Sequence, residues 1–320
     1  MPHDLNARTH VALGWFERPA LGPRASFLVA HERLALLAGV AAGHAMVVAA
    51  VDGNARVVAS LLVPDGGALI LGRHTACGLR LDAASISLRH LAALVRFEGD
   101  RPVLHLRDLA SGHPFTTEDG QPTAAVIADG PLYASIGEYA FWFIPAAALR
   151  TNTSRSPAEA WLALPARSFL ERRAAGLGPR PAAPRAPRGD ASISHITHVA
   201  PPLLLDAGDS PEIAWGVLRL DAGARRERRW VSAERLEQGI LLGRYDRCSV
   251  LLATPGNTTS RVHALLIRLG AEVWILDTAS TGGIQRGSEV VTAEVLRDVD
   301  RLSLGREMTL GWERIVHPEA

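Results

Sequence analysis

The chain has 320 residues, about twice the size of a typical single domain, so two domains are expected. Hydrophobic residues make up 48% of it and the formal net charge is +1, which excludes global disorder and gives no bulk attraction for nucleic acid. No lysine occurs, so every one of the 34 Lys/Arg positions is arginine, and any anion site must use the planar two-pronged guanidinium.

The N-terminal segment, residues 1–42, carries no basic-then-apolar signal layout and adds strands to the first module or caps it. The most apolar stretch, Ala35 to Val51, falls short of the roughly 20 residues a membrane span needs and is interrupted by His44. It reads as a buried strand pair or a helix. The two cysteines, Cys77 and Cys248, make no disulfide framework. A cytoplasmic protein is expected, with no membrane partner.

An internal repeat organises the rest. LILGRHTACGLRL (Leu69 to Leu81) is answered by ILLGRYDRCSVLL (Ile240 to Leu252), SLRHLAALV (from Ser87) by SRVHALLI (from Ser260), DLAS (from Asp108) by DTAS (from Asp277), and SIG (from Ser135) by SLG (from Ser303). Between these blocks lie short apolar runs punctuated by Asp-Gly and Gly-Gly pairs, the pattern of short strands in an all-β sandwich. The expected domains are residues 43–150 and 211–320. Between them, residues 151–210 hold a short helix and a linker. Ser156-Pro157-Ala158-Glu159 has the form of a capping box, with Trp161, Leu162, Phe169 and Leu170 as its apolar face. GLGPRPAAPRAPRG (Gly176 to Gly189) has the composition of an extended linker, and Thr151, Thr153 and Thr197 flank it as candidate phosphorylation sites.

The order Gly-Arg, Ser-Arg-x-His, Asp-x-x-Ser with a Gly-rich turn resembles the forkhead-associated (FHA) family. The second repeat is the closer match, with Gly243-Arg244, Ser260-Arg261-Val262-His263 and DTASTGG from Asp277 to Gly283. The resemblance implies an all-β fold of two FHA-like β-sandwich domains. Their loops at one end would bind phosphothreonine peptides, as an adaptor or scaffold in Ser/Thr kinase signalling. It implies that Arg244 holds phosphate oxygens, that Ser260 donates its hydroxyl, that Arg261 adds charge, and that Thr281 and Gly282 form the peptide-binding turn. Gly243 and His263 would support the loops. In the first repeat Arg73, Ser87 and Arg89 are the corresponding ligand-binding candidates, with Gly72 and His90 in support. The physical chemistry agrees: a phosphate carries about −1.5 to −2 charges and three acceptor oxygens, and needs converging donors of which at least one is charged.

Two departures matter. The family's asparagine is replaced by Gly282 in the second repeat, and its Asn-Gly by His113-Pro114 in the first. Both favour a second reading, a phosphate-independent interaction scaffold. A thiol hydrolase built on Cys77 or Cys248 is a third, disfavoured because both cysteines fall where strand core is expected. No zinc spacing, P-loop or dinucleotide fingerprint occurs, so no enzyme activity, cofactor or metal is expected.

Overall fold

The computed structural model describes residues 20–150, 156–167, 169–174, 208–223, 225–252 and 259–315. The linker from Gly176 to Gly189 and the three candidate threonines lie outside the described residues.

The chain is mostly β, as expected, and forms two sandwiches. The N-terminal one contains β1 (Ala45–Val51), β2 (Val57–Pro64), β3 (Ala68–Gly72), β4 (Leu79–Arg80), β5 (Leu91–Glu98), β6 (Arg101–Asp108), β7 (Phe115–Thr117), β8 (Pro122–Ala128), β9 (Leu132–Ile136) and β10 (Tyr139–Pro145). Hydrogen bonding runs β2-β1-β10-β9-β7-β8-β6-β5-β3-β4, so the sheet folds over at β7–β8 and closes on its own core. Met46, Val48, Phe141 and Phe143 from one layer meet Leu71, Leu91, Ala93 and Leu106 from the other.

An extra strand, β11 (Phe169–Ala174), pairs with β8. It corrects the expectation that Phe169 and Leu170 share a helical face with Trp161 and Leu162. The capping box itself forms: Ser156 and Glu159 bond reciprocally at the start of a six-residue helix, Pro157–Leu162. Trp161 packs on Phe27 and Trp142.

The C-terminal sandwich repeats this order. Its strands are β12 (Ala214–Ala222), β13 (Arg225–Ser232), β14 (Ile240–Gly243), β15 (Val250–Leu251), β16 (Ala264–Leu269), β17 (Glu272–Asp277), β18 (Ile284–Arg286), β19 (Glu289–Val291), β20 (Ala293–Val295), β21 (Val299–Leu304) and β22 (Met308–Arg314). Its layers are β13-β12-β22-β21-β18-β19 and β15-β14-β16-β17-β20. Strand for strand, β12–β18 follow β1–β7 and β21–β22 follow β9–β10, with β19 and β20 together in the place of β8. The parallel pairings β3–β4 and β14–β15 sit at the same point of each repeat.

One difference explains the most apolar stretch of the sequence. The helix α1 (Pro23–Val40) buries Phe27, Ala30, His31, Leu34 and Ala38 at helical spacing. It lies on the outer face of β1, where Val47, Ala49 and Val51 point, and of β10, where Trp142 does. Strand β1 is therefore buried on both faces and reads as an unbroken apolar run. The run from Ala35 to Val51 is the end of a helix followed by a strand. Among the described residues no helix covers its counterpart β12, which alternates from Leu218 onward, with Leu218 and Leu220 inward and Arg219 exposed.

The sandwiches pack on each other through equivalent faces. Ile70, Cys77, Ala92 and Leu94 meet Leu241, Cys248, Leu265, Ile267 and Trp274 in one buried cluster. At one end Arg89 and Arg247 reach carbonyls of the opposite sandwich. At the other end Arg96 pairs with Glu272 at 3.6 Å and stacks 4.8 Å over Trp274. Repeat-equivalent loops therefore lie at the same end of the assembly.

A crevice of about 50 Å³ between the sandwiches is lined by His105, Arg107, Glu171, Arg173, Glu237 and Arg268. Burial, aided by the charge of Arg107, pushes His105 down to about 4. As pH falls from about 6.5 toward 4 the unfolded chain takes up a proton at this histidine that the folded chain refuses, so stability falls with pH in that window. The stability advantage of wild type over His105→Gln is expected to shrink by on the order of 1–2 kcal/mol between pH 7 and pH 4.5, in denaturant unfolding at each pH. A pH-independent difference would show that His105 titrates alike in both states.

Candidate functional site

The loops at one end of the C-terminal sandwich are tied to each other through backbone and one histidine. Where β14 ends, Arg244 N–H donates to Ser260 O at 3.1 Å and Tyr245 N–H to Arg261 O at 2.9 Å. This crossing brings the loop after β14 against the loop before β16. His263, wholly buried, accepts from Ser260 N–H at Nδ1 (3.1 Å), so its proton sits on Nε2 and is donated to Gly283 O at 3.0 Å. Burial holds its pKa below the usual histidine value, which keeps this neutral tautomer.

The third loop follows β17. Asp277 accepts from Ser280 N–H, Ser280 Oγ accepts from Gly283 N–H at 2.9 Å, and Ser260 Oγ accepts from Thr281 N–H at 2.8 Å. The Asp-x-x-Ser motif is thus a turn lock, and Ser260 stitches the second loop to the third. Burial raises the Asp277 carboxyl, with the Ser280 hydrogen bonds opposing.

On this frame Arg244, Arg261 and Thr281 are exposed, while Ser260 is 7% exposed. Among the described residues neither the Arg244 nor the Arg261 guanidinium has an ion pair or hydrogen-bond partner. Gly282 is half-buried in the turn. The arrangement brings Arg244, Ser260, Arg261, Thr281 and Gly282 to one rim: two unpaired cations, a hydroxyl and a backbone turn. Such a set can grip a dianion.

The N-terminal sandwich has the same brace. Ser87 N–H donates to His90 Nδ1 at 3.1 Å, and His90 Nε2 donates to His113 O at 2.7 Å. Asp108 and Ser111 repeat the turn lock. Burial pushes His90 down to about 4. Both histidines lie beneath the loops, each bridging two of them.

The rest of that rim differs. Arg73 is exposed, but its Nε donates to Ile86 O, and Ser87 Oγ donates to Ser111 O at 3.3 Å. Arg89, expected on the ligand face, is not there. It is 7% exposed and its guanidinium donates to carbonyls of the opposite sandwich. It occupies the place of Val262, which the interface buries too. A side chain at this register turns away from the rim toward the other sandwich, and sequence spacing alone does not show that.

Gly72 and Gly243 are required by a close approach of backbone rather than by a left-handed turn. Neither has positive φ; a Cβ on Gly243 would lie 2.2 Å from Arg261 O, and one on Gly72 2.4 Å from Leu88 O. The loop crossing demands the missing side chain. The cysteines are buried at the interface between sandwiches, each Sγ near a loop carbonyl (Cys77 to Leu88 O, Cys248 to Arg261 O), and burial pushes Cys248 up to about 12. Among the described residues no group of three or more His, Cys, Asp or Glu side chains could hold a metal ion, and no helix is long and apolar enough to cross a membrane.

Residues 240–305 match the family model of the FHA domain. No curated protein matches the chain. Among solved structures, similarity is found to the Slr1951 protein of Synechocystis sp., at 19% identity over 32% of this chain and 99% of that one, with a TM-score of 0.28. It extends to the first FHA domain of Mycobacterium tuberculosis Rv1747, at 21% identity, 32% and 98% coverage and a TM-score of 0.25. The FHA domain of Chlamydia trachomatis CT664 is similar at 17% identity, 31% and 96% coverage and a TM-score of 0.28.

Proposed function

We propose that the chain is a phosphothreonine-binding adaptor made of two FHA-type modules, residues 43–150 and 211–320, and that ligand binds at the C-terminal rim. The observation that carries this reading is the convergence of unpaired, exposed Arg244 and Arg261 with Ser260 on loops braced by His263. The family match over residues 240–305 supports phosphothreonine-dependent protein interaction at family level.

In this reading Arg244 and Arg261 supply charge-assisted hydrogen bonds to the phosphate. The Ser260 hydroxyl hydrogen points toward Thr281 Oγ1 at 3.5 Å, a weak contact that a phosphate oxygen would replace. Gly282 offers only backbone to the peptide, so sequence choice around the phosphothreonine is relaxed. The partner is a protein phosphorylated by a Ser/Thr kinase. Burial and raised thiol pKa at Cys77 and Cys248 support binding rather than thiol catalysis.

The test is a phosphothreonine peptide library presented to the full chain, with each selected peptide re-measured without its phosphate. Selective capture of the phosphorylated forms is expected. Equal affinity for both forms would instead establish the phosphate-independent scaffold, which the glycine at position 282 favours.

A further inference from the structure

Among the sequence-assigned ligand contacts Arg89 is the one that the fold sends to the opposite sandwich, and its destination is specific. Its Nε donates to Thr278 O at 2.7 Å and to Ala279 O at 3.1 Å, and its Nη2 to Ala279 O at 2.5 Å. Both acceptors belong to the loop after β17 in the other sandwich. Among the described residues no carboxylate lies within ion-pair distance of this buried guanidinium; Asp277 acts on its charge only from farther away, and its direct partners are carbonyl oxygens.

The acceptor loop is conformationally constrained. Ala279 has φ 58°, a left-handed conformation that a residue with a Cβ adopts only when its surroundings impose it. The next residue, Ser280, locks the turn, and the one after it, Thr281, donates its N–H to Ser260 Oγ. One residue, Ser280, therefore separates the Arg89 contact from the rim. The N-terminal sandwich has the mirror arrangement: Ala110, φ 57°, presents its carbonyl to Arg247 Nη1 at 3.4 Å. That contact is single and long, whereas the Arg89 contact is forked and buried. Arg247 packs against Gly112 of the Ala110 loop but stays exposed; among the described residues the buried, forked guanidinium from the opposite sandwich lies beneath the C-terminal rim.

We infer that Arg89 is a positioning residue for the C-terminal rim: the N-terminal sandwich supplies the guanidinium that fixes the carbonyls of Thr278 and Ala279 and so holds Thr281 and Gly282 beside Ser260 and Arg244. The inference deepens the phosphothreonine reading and rests on it for the ligand. It gives the N-terminal sandwich a task even where its own rim binds nothing: it completes the site of its neighbour. The two halves then act as one rigid reader rather than as independent modules on a flexible tether.

Arg107 provides a matched control. It also donates across the interface, to Glu237 O at 2.9 Å and to Gln238 O, but on the α-helical segment before β14, away from the rim. Full-chain Arg89→Met is expected to weaken binding of a selected phosphothreonine peptide tenfold or more, with Arg89→Lys intermediate and Arg107→Met near wild type. In ligand-free protein, amide hydrogen exchange at residues 280–283 is expected to speed up in Arg89→Met and not in Arg107→Met. Equal losses in Arg89→Met and Arg107→Met would reduce Arg89 to general interface packing and overturn the inference, as would unchanged exchange at 280–283. Should Arg89→Met fail to fold, Arg89→Lys decides on the same two readouts, wild-type values in both overturning the inference. The exchange arm needs no ligand. A wild-type chain that binds no phosphopeptide, yet shows the exchange difference, refutes the function and leaves the positioning role standing.

Discussion

Gly243→Ala is expected to destabilise the C-terminal sandwich by about 3 kcal/mol or more, an overpacking cost at the top of the usual range because the neighbours are backbone. The new Cβ would sit 2.2 Å from Arg261 O, 2.8 Å from Arg261 C and 2.9 Å from Val262 Cα. No side chain can rotate away to admit it. The chain could relax only by parting the loops, and that breaks Arg244 N–H to Ser260 O and Tyr245 N–H to Arg261 O, each worth about 1 kcal/mol. It would also draw Ser260 N–H off His263 Nδ1. Gly78→Ala is the comparison: its added methyl would lie 2.8 Å from Leu69 Cδ1, the far end of a flexible side chain, and should cost well under half as much. Urea unfolding of the full chain measures both. A wild-type midpoint for Gly243→Ala would mean that the loops are not clamped together, and the account of the rim would fail with it.

That glycine shows what the sequence revealed and what it hid. Gly-Arg recurs in both repeats, so its importance was legible; its reason was not, since a turn and a close approach look alike in one dimension. The histidines were legible as a recurring position, because His90 and His263 each bond within their own repeat, to the serine three residues earlier. The serines Ser111 and Ser280 were visible only as part of the repeated Asp-x-x-Ser block; their turn-locking bonds are local but come from the structure. The strands of each sandwich were legible where burial alternates, as over Leu104 to Arg107 in β6, and blurred where both faces are covered. From Ala35 to Val51 a helix end and a doubly buried strand merge into one apolar run, because α1 removes the polar alternation that would have separated them. Strand β11 was hidden for the opposite reason: six residues with three charges show no period of their own, and pairing with β8 alone makes them a strand.

The interface was the least legible part. Arg89 finds its acceptors 189 and 190 positions along the chain, and nothing local distinguishes it from a rim arginine. The one available signal was the repeat itself. Aligned on the histidine, Arg89 faces Val262, and an apolar residue at the equivalent position indicates a direction away from water. Cys77 with Cys248 carried the same information, since both are buried between the sandwiches rather than inside either.

Loss of the Arg244 guanidinium is expected to be the largest single effect on ligand binding, about 10- to 100-fold in affinity for a phosphothreonine peptide, with folding unaffected. The magnitude follows from removing a charge-assisted hydrogen bond worth about 1.5–3 kcal/mol. Folding is spared because the side chain is exposed and, among the described residues, has no protein partner to abandon; the backbone N–H that ties the loops remains in alanine. Arg73→Ala differs on both counts. It removes the donor to Ile86 O, and it belongs to a rim whose serine hydroxyl is turned to Ser111 O, so it should shift stability slightly and peptide affinity little. The effect of Arg244→Ala should also shrink as salt rises, because part of it is exposed electrostatics that ions screen. Titration calorimetry of wild type, Arg244→Ala and Arg73→Ala against one selected phosphopeptide, at low and high salt, separates the two rims. Equal losses from the two variants would move binding to both sandwiches. An undiminished affinity in Arg244→Ala would remove the rim after β14 as the phosphate site, whatever the family match suggests.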